Sequence, residues 1–485
     1  CETGHFYFAK NRTFSLCLDR GFFSFIMKVM IKKTDQVIIT SHLEDSSNLT
    51  GAFAEGLYLP ENEKEIIEAI KECNAKKTPL TVSAAETATT GSPLPFGGWI
   101  LNTQKLNKII EINQSEKYAI VQPGVTLEEI EREVSKLGLL YPPDPTEKTA
   151  TIGGTVSTNA SGGRSYRFGS TRNWIRRSKV VLASGEVLDL KRGVPSPQHL
   201  VPKYTMPKVK KNSAGYYSKP GMDLIDLFIG SEGTLGIVSE VEISLAPSLG
   251  ETIDLVAFFK SENEAVDFVL KEKAKQDKTI NFFEYFDENT LQMLTPSYPN
   301  IPASAKAAVY IEQESDDPTY WAKKLTGDVW LAVEAKQKQE LQAFRHAVPE
   351  HINELYKKYG SIKLASDIAV PTDKFKEMYL FYNDQLRNQN DEVFCIKFGH
   401  IGENHLHVNL LPKTEAEKKI AKEIIIEYVK KAVSLGGTVS AEHGIGKIKH
   451  DYLYILYGEA GINEMKRIKS LFDPNGILGR GNIFE

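Results

Sequence analysis

The chain has little of what marks several common protein classes. Its 485 residues include four cysteines, Cys1, Cys17, Cys73 and Cys395, far apart and with no CxxC pair. That excludes a disulfide scaffold and a cysteine-clustered redox centre, and leaves free thiols in a reducing compartment as the expectation. No apolar run approaches the roughly 18–20 residues that span a bilayer. Positive charge is not in excess: 59 Lys and Arg stand against 63 Asp and Glu, so nucleic acid is not an expected partner. No GxGxxG follows a predicted strand, which removes a Rossmann dinucleotide site. There is no internal repeat and no low-complexity tract.

A chain this long is expected to divide into at least two domains. Residues 1–30 fit no clean class: Asp19 and Arg20 interrupt an apolar stretch, and Glu2 and Asp19 disfavour a transit peptide. They are set apart as an unassigned leader. From about residue 50, helical and extended patterns alternate. "LPENEKEIIEAIKECNAKKTPLTVS" places Ile66, Ile67, Ile70 and Cys73 on one helical face and ends in an extended stretch, 80–82. "TLEEIEREVSKLG" opens with the capping-box pair Thr126 and Glu129 and closes at Gly138, with Leu127, Ile130, Val134 and Leu137 as its apolar stripe. Residues 118–124 and 178–190 read as strands, the second turning at Ser184 and Gly185. The pattern is α+β without a clean βαβ repeat. A Pro- and Lys-rich stretch, 192–215, reads as a surface excursion, and a boundary falls near Pro247.

Two regions carry candidate chemistry. "YPPDPTEKTATIGGTVSTNASGGRSYRFGSTR" (141–172) sets Gly153, Gly154, Thr158, Asn159 and Gly162 among small residues. Such residues let backbone N–H groups approach a flat or anionic ligand. "KFGHIGENHLHVNL" (397–410) gathers His400, His405 and His407 in a chain of ten histidines. Gly402 and Asn404 predict a turn, after which His405, His407 and Asn409 share one strand face. That face by itself is either a solvated polar surface or a ligand set. In "GGTVSAEHGIGKIKHDYL" (436–453), Glu442 and His443 lie among glycines and small residues, where packing does not account for them. Two imidazoles and a carboxylate with an open position suit a divalent metal.

Read together, the 141–172 stretch and "GSEGTLGIVSEVEISLAP" (230–247) resemble the FAD-binding domain of the vanillyl-alcohol oxidase/PCMH flavoproteins. The pattern GHxGxxxxHxN followed by SAEHGxG resembles the D-lactate and D-2-hydroxyacid dehydrogenases within that group. The resemblance implies a PCMH-type FAD-binding domain over 50–247, then an α+β FAD-linked oxidase C-terminal (cap) domain over 248–485 whose tail returns to the flavin. It implies flavin contacts from Pro143, Asp144, Thr149, Gly153, Gly154, Thr158, Asn159, Gly162, Gly230, Glu232, Gly233 and Ile237. It implies a divalent metal, zinc before manganese or iron, on His400, His407 and Glu442. His405 stands where the family often has Asn and is left outside that set.

The implied reaction is oxidation of a D-2-hydroxy acid to the 2-oxo acid. Arg345 would anchor the carboxylate, His443 would accept the hydroxyl proton, and Asn409 would hydrogen-bond substrate or flavin. D-lactate is favoured because Pro349 and Ala365 replace groups that would meet a second carboxylate. Glycolate and D-2-hydroxyglutarate are the alternatives, and a catalytically silent binding protein is the alternative of another class. With no cysteine cluster or haem motif, electrons pass to an external acceptor, a cytochrome, a quinone or an electron-transfer flavoprotein. The expected location is cytoplasmic, with peripheral contact to the inner membrane admissible, or mitochondrial in a eukaryote; a homodimer is an admissible assembly. Two departures stand out. "SAAETATTG" (83–91) replaces the family's Arg-Gly-Gly-Gly-Thr loop and puts Glu86 beside the implied diphosphate. Gly479, Arg480 and Asn482 replace Asn, Pro and Lys near the tail.

Overall fold

The computed structural model describes residues 30–485 apart from 316, 318 and 389–391. The leader up to residue 29, with Cys1 and Cys17, lies outside the described residues. Cys73 and Cys395 are buried thiols outside any disulfide. No helix among the described residues is long and apolar enough to cross a membrane.

Asn62 accepts a hydrogen bond from the Glu65 N–H and starts the helix Glu63–Lys76, which buries Ile66, Ile70 and Cys73. Lys77, at φ 54°, ends it, and the chain enters the strand Leu80–Ser83. This strand and Gly56–Leu59 both run parallel to Trp99–Asn102, so the helix is the crossover of a split βαβ unit. Ile31–Lys33 adds antiparallel at the edge.

The second sheet is antiparallel. Its order is Ile109–Asn113, Tyr118–Val121, Ile237–Ser244, Ile175–Val181, Val187–Lys191. Over it lies the helix Leu127–Ser135. Thr126 Oγ1 accepts from the Glu129 N–H at 3.2 Å, and the Glu129 carboxylate accepts from the Thr126 N–H at 2.8 Å. Leu127, Ile130 and Val134 form its buried stripe. The last two strands of the sheet make the expected hairpin, with Gly185 at φ 83° in its turn.

After Ser244 the chain builds a third sheet, also antiparallel. Its order is Val329–Ala332, Thr252–Phe259, Ala307–Glu314, Ile280–Asp287, Cys395–Gly399, His405–Leu410, Leu364–Ala365. Ile280–Asp287 is buried along its whole length, so its acidic residues need partners. The helix Ala335–Tyr359 continues through Pro349 and stops at Gly360, φ 60°. The strands Cys395–Gly399 and His405–Leu410 pair with Phe398 opposite His407. The short turn between them ends at Asn404, φ 59°.

The two lobes share one core. Its largest apolar cluster contains Val121 and Ile243 of the second sheet together with Leu255 and Val309 of the third. The chain then returns to the first lobe. After the helix His450–Phe472, Leu80 donates to the Ile477 carbonyl at 2.7 Å and Gly479 donates back to the Leu80 carbonyl at 3.0 Å.

Candidate active site

A cleft of about 450 Å³ runs from the split βαβ unit to the third sheet. At its first end it is lined by residues 82–89, the helix Ile152–Thr158 and its approach, and Glu232, Gly233, Ile237 and Val238. The backbone N–H groups of 85–90 donate to no protein acceptor among the described residues. Glu86 sits among them at φ 50°. Successive unpaired amides around a left-handed residue form a concavity suited to an anion. The start of the helix Ile152–Thr158 is not such a place. Its N–H groups are taken by Val125, Pro123 and the Thr151 hydroxyl. Further along the wall, the Ser161 hydroxyl is buried without a hydrogen-bond partner. An amide-lined anion seat and an orphaned hydroxyl fit a dinucleotide with a diphosphate and a polar ring system.

Glu86 does not leave its carboxylate loose in this groove. Its Oε1 accepts from Asn102 Nδ2 at 2.9 Å and lies 3.0 Å from His42 Nδ1. Glu232 is likewise committed: its two carboxylate oxygens each accept a backbone N–H, from Ile445 and Gly446, at 2.8 Å. Burial opposes its charge and outweighs these bonds, pushing it up to about 7. Asn482 Nδ2 donates to the Ser92 and Glu232 carbonyls at 3.0 Å each, so the tail closes this end.

At the other end, His400, His405, His407 and Glu442 offer ligand atoms that all lie within 4.8 Å of one another. His400 Nδ1 lies 3.0 Å from Glu284 Oε2, which turns Nε2 toward Glu442 Oε2 at 3.2 Å. Burial disfavours charge on His400, but Glu284 and Glu442 outweigh it and push the ring up to about 9. Glu442 is held well below the usual carboxylate range, because His400 and Lys211 outweigh its burial. His407 Nε2 is 3.8 Å from Glu442 Oε2. Burial, with three neighbouring imidazoles, holds His407 well below its ordinary value. His405 is fully buried and neither ring nitrogen makes a hydrogen bond; Nε2 lies 3.0 Å from Asp367 Oδ1 but off the bonding direction. The neutral rings of His405 and His407, the first without a hydrogen-bond partner, stand beside a carboxylate, which is donor chemistry that suits a borderline-soft divalent ion. His405 thus joins the geometric set from which the sequence reading had left it out.

His443 and Asn409 line the same end. His443 stacks on His407, with ring centroids 5.4 Å apart. Its Nδ1 lies 3.3 Å from Asp367 Oδ2. Asp367 also accepts from the N–H groups of Glu442 and His443, from the Ser440 hydroxyl and from Lys449 Nζ. Burial opposes its charge, yet His443 and Lys449 hold it well below the carboxylate range.

Several expected residues stand elsewhere. Gly153, Gly154, Thr158, Gly162, Glu232, Gly233 and Ile237 line the cleft; Pro143, Asp144, Thr149, Asn159 and Gly230 do not. Asp144 is tied to Lys148, Thr149 donates to Glu147, and Asn159 ends the helix Ile152–Thr158 at φ 51°. Gly230 packs beside Asn159. Arg345 is buried 3.5 Å from Glu284 and over the Phe282 ring, off the cleft wall. Among the described residues, the lysine on the wall is Lys363, pushed down to about 8 by burial.

The excursion 192–215 is not wholly a surface loop. Its end dives between the lobes, where Lys211 Nζ contacts Glu442 Oε1 at 2.5 Å, Glu403 Oε2 at 3.0 Å and the Gly162 carbonyl at 3.2 Å. Neither Lys211 nor Asp367 was singled out from sequence for a role. The one signal for Lys211 is the small-residue run Ser213, Ala214 and Gly215 after it, which permits close packing.

The fold and the cleft define a flavin-linked oxidoreductase, and comparison with known proteins gives the same class. The chain matches the family described as FAD binding domain over 54–191 and that described as FAD linked oxidases, C-terminal domain, over 252–483. It belongs to the FAD-linked oxidoreductase family of D-lactate dehydrogenases, GlcD and D-2-hydroxyglutarate dehydrogenases. It is 31% identical over 443 residues to a D-lactate dehydrogenase of Anaerostipes hadrus, covering 87% of each chain. It is 32% identical over 440 residues to the glycolate oxidase subunit GlcD of Bacillus subtilis, covering 88% of each. In fold it is similar to 4-ethylphenol oxidase from Gulosibacter chungangensis, with a TM-score of 0.68 and 16% identity over 93% of this chain and 94% of that one. A p-cresol methylhydroxylase structure gives the same TM-score at 17% identity, covering 93% of each chain.

Proposed function

We propose that the protein oxidises a D-2-hydroxy monocarboxylate, D-lactate before glycolate, to the 2-oxo acid. One observation carries the reading: among the described residues, Lys363 is the sole lysine or arginine on a cleft wall that also carries the imidazole cluster. One cation serves one carboxylate. The cleft wall also carries Glu350, beside Pro349 and Asn353. A distal carboxylate would meet repulsion there, which disfavours D-2-hydroxyglutarate.

FAD, seated in the groove, would take up the two electrons lost by the alcohol. A divalent ion held by His400, His407, Glu442 and the nearby His405 would lower the pKa of the substrate hydroxyl. The residues do the rest. Lys363 holds the carboxylate, and Asn409, with Nδ2 on the His407 carbonyl, leaves its Oδ1 for a donor in the cleft. Asp367 keeps a proton on His443 Nδ1, so Nε2 is the nitrogen that accepts the hydroxyl proton. An external acceptor, a cytochrome, a quinone or an electron-transfer flavoprotein, would then take the electrons.

Anaerobic mixing of the flavin-loaded protein with D-lactate, glycolate and D-2-hydroxyglutarate tests this. D-lactate should bleach the flavin fastest, and prior removal of divalent ions with a chelator should slow it at least about a hundredfold. Bleaching by D-2-hydroxyglutarate alone would sink the monocarboxylate reading, and indifference to the chelator would sink the metal.

A further inference from the structure

The segment before residue 54, outside both family matches, braces the amide-lined loop at two points. Asp45 Oδ2 accepts from the Gly91 N–H at 3.0 Å. The second brace is His42, whose Nδ1 is 3.0 Å from Glu86 Oε1. The same oxygen takes Asn102 Nδ2 at 2.9 Å, and that nitrogen is also within 3.0 and 2.9 Å of Ser83 Oγ and the Ala84 carbonyl, which compete for its two hydrogens. Glu86 is therefore tethered from two sides while its backbone, at φ 50°, belongs to the run of unpaired N–H groups. In a left-handed position the peptide N–H groups on either side turn toward one concave face. Backbone and side chain of one residue thus serve opposite ends: the backbone invites an anion, and the side chain carries the charge that would repel it.

We propose that His42 is a positioning residue for the cofactor: with Asn102 it pins the Glu86 carboxylate away from the anion seat. This rests on the reading that the groove holds FAD through its diphosphate. Without the pin, Glu86 is free to turn into the seat, where its negative charge opposes the diphosphate directly. His42 acts through Glu86 and touches no cofactor atom. The arrangement answers the departure noted in the sequence: a carboxylate is tolerated in this loop because a second segment of chain restrains it.

The test is the dissociation constant of FAD for the apoprotein, followed by quenching of flavin fluorescence at fixed pH and ionic strength, in a double-mutant cycle. His42→Leu should weaken FAD about tenfold or more. Glu86→Ala should tighten it about two- to fivefold, because an anion leaves the groove. In the double variant His42→Leu with Glu86→Ala, affinity should return to within about twofold of Glu86→Ala alone. His42→Gln, which keeps an amide donor for Glu86, should stay within about threefold of the parent and guards against a loss caused by misfolding. A double variant as weak as His42→Leu would mean that His42 acts on the fold at large, and the proposal falls. His42→Leu with unchanged affinity also overturns it while leaving the FAD groove intact. A parent protein that takes up no FAD removes the groove reading and the proposal together.

Discussion

Both carboxylate oxygens of Asp367 are committed, to two backbone N–H groups, a hydroxyl, an ammonium and the ring of His443. Asp367→Asn would leave Lys449 buried without its counter-charge, and breaking such a pair costs about 3–5 kcal/mol. Denaturant unfolding of the apoprotein at pH 7 measures it. The folded carboxyl lies below its unfolded value, so the stabilisation is complete above the unfolded pKa and is lost only as pH falls through the folded one. Lys363 gives a prediction of opposite sign. Its ammonium is charged below about 8, so KM for the hydroxy acid should rise as pH passes 8. Lys363→Met should raise KM about tenfold or more with a smaller change in kcat. His400 and His407 could be read together because they share one short hairpin, whereas Glu442, in a distant glycine-rich segment, was joined to them only through the family resemblance; the fold does bring the three side chains together. Asp367 and Lys211 were not legible, since their partners lie in distant segments and burial of a charge leaves no local mark. Arg345 was given as a carboxylate anchor by resemblance alone; its Nε lies 3.5 Å from Glu284 Oε1, off the cleft wall.

Elements with local start and stop signals were the readable ones. The Thr126 capping box, the stripe Ile66, Ile70 and Cys73, and the turn at Gly185 each depend on contacts within a few residues. Thr126→Ala should therefore cost about 1 kcal/mol of stability, seen in thermal unfolding, with flavin content unaltered. The histidine hairpin is also an element-scale device. Side chains alternate along a strand, so the pairing of Phe398 with His407 decides which imidazoles face Glu442. The excursion 192–215 lacked any period to read, and its buried end is held by Lys211 and by Ser213, whose N–H donates to the Ser440 carbonyl at 2.8 Å.

At the scale of the molecule, the boundary near Pro247 is a boundary in sequence more than in space. Apolar residues of both lobes pack in one cluster, and Ile477, Leu478 and Leu80 share another with the helix Glu63–Lys76. Ending the chain at residue 474 would strip that cluster and free the Ser92 and Glu232 carbonyls from Asn482. Such a truncated protein should purify without yellow colour and fail to take up added FAD. Full flavin uptake by it would show that the returning segment is dispensable.

That return has a consequence for how the protein is born. Ser92 and Asn482 meet across 390 positions of chain, so a ribosome must emit nearly all of the second lobe before the first can finish its cofactor seat. A half-made polypeptide holds no competent chromophore, and flavin capture becomes a late checkpoint that only a whole, correctly folded copy can pass.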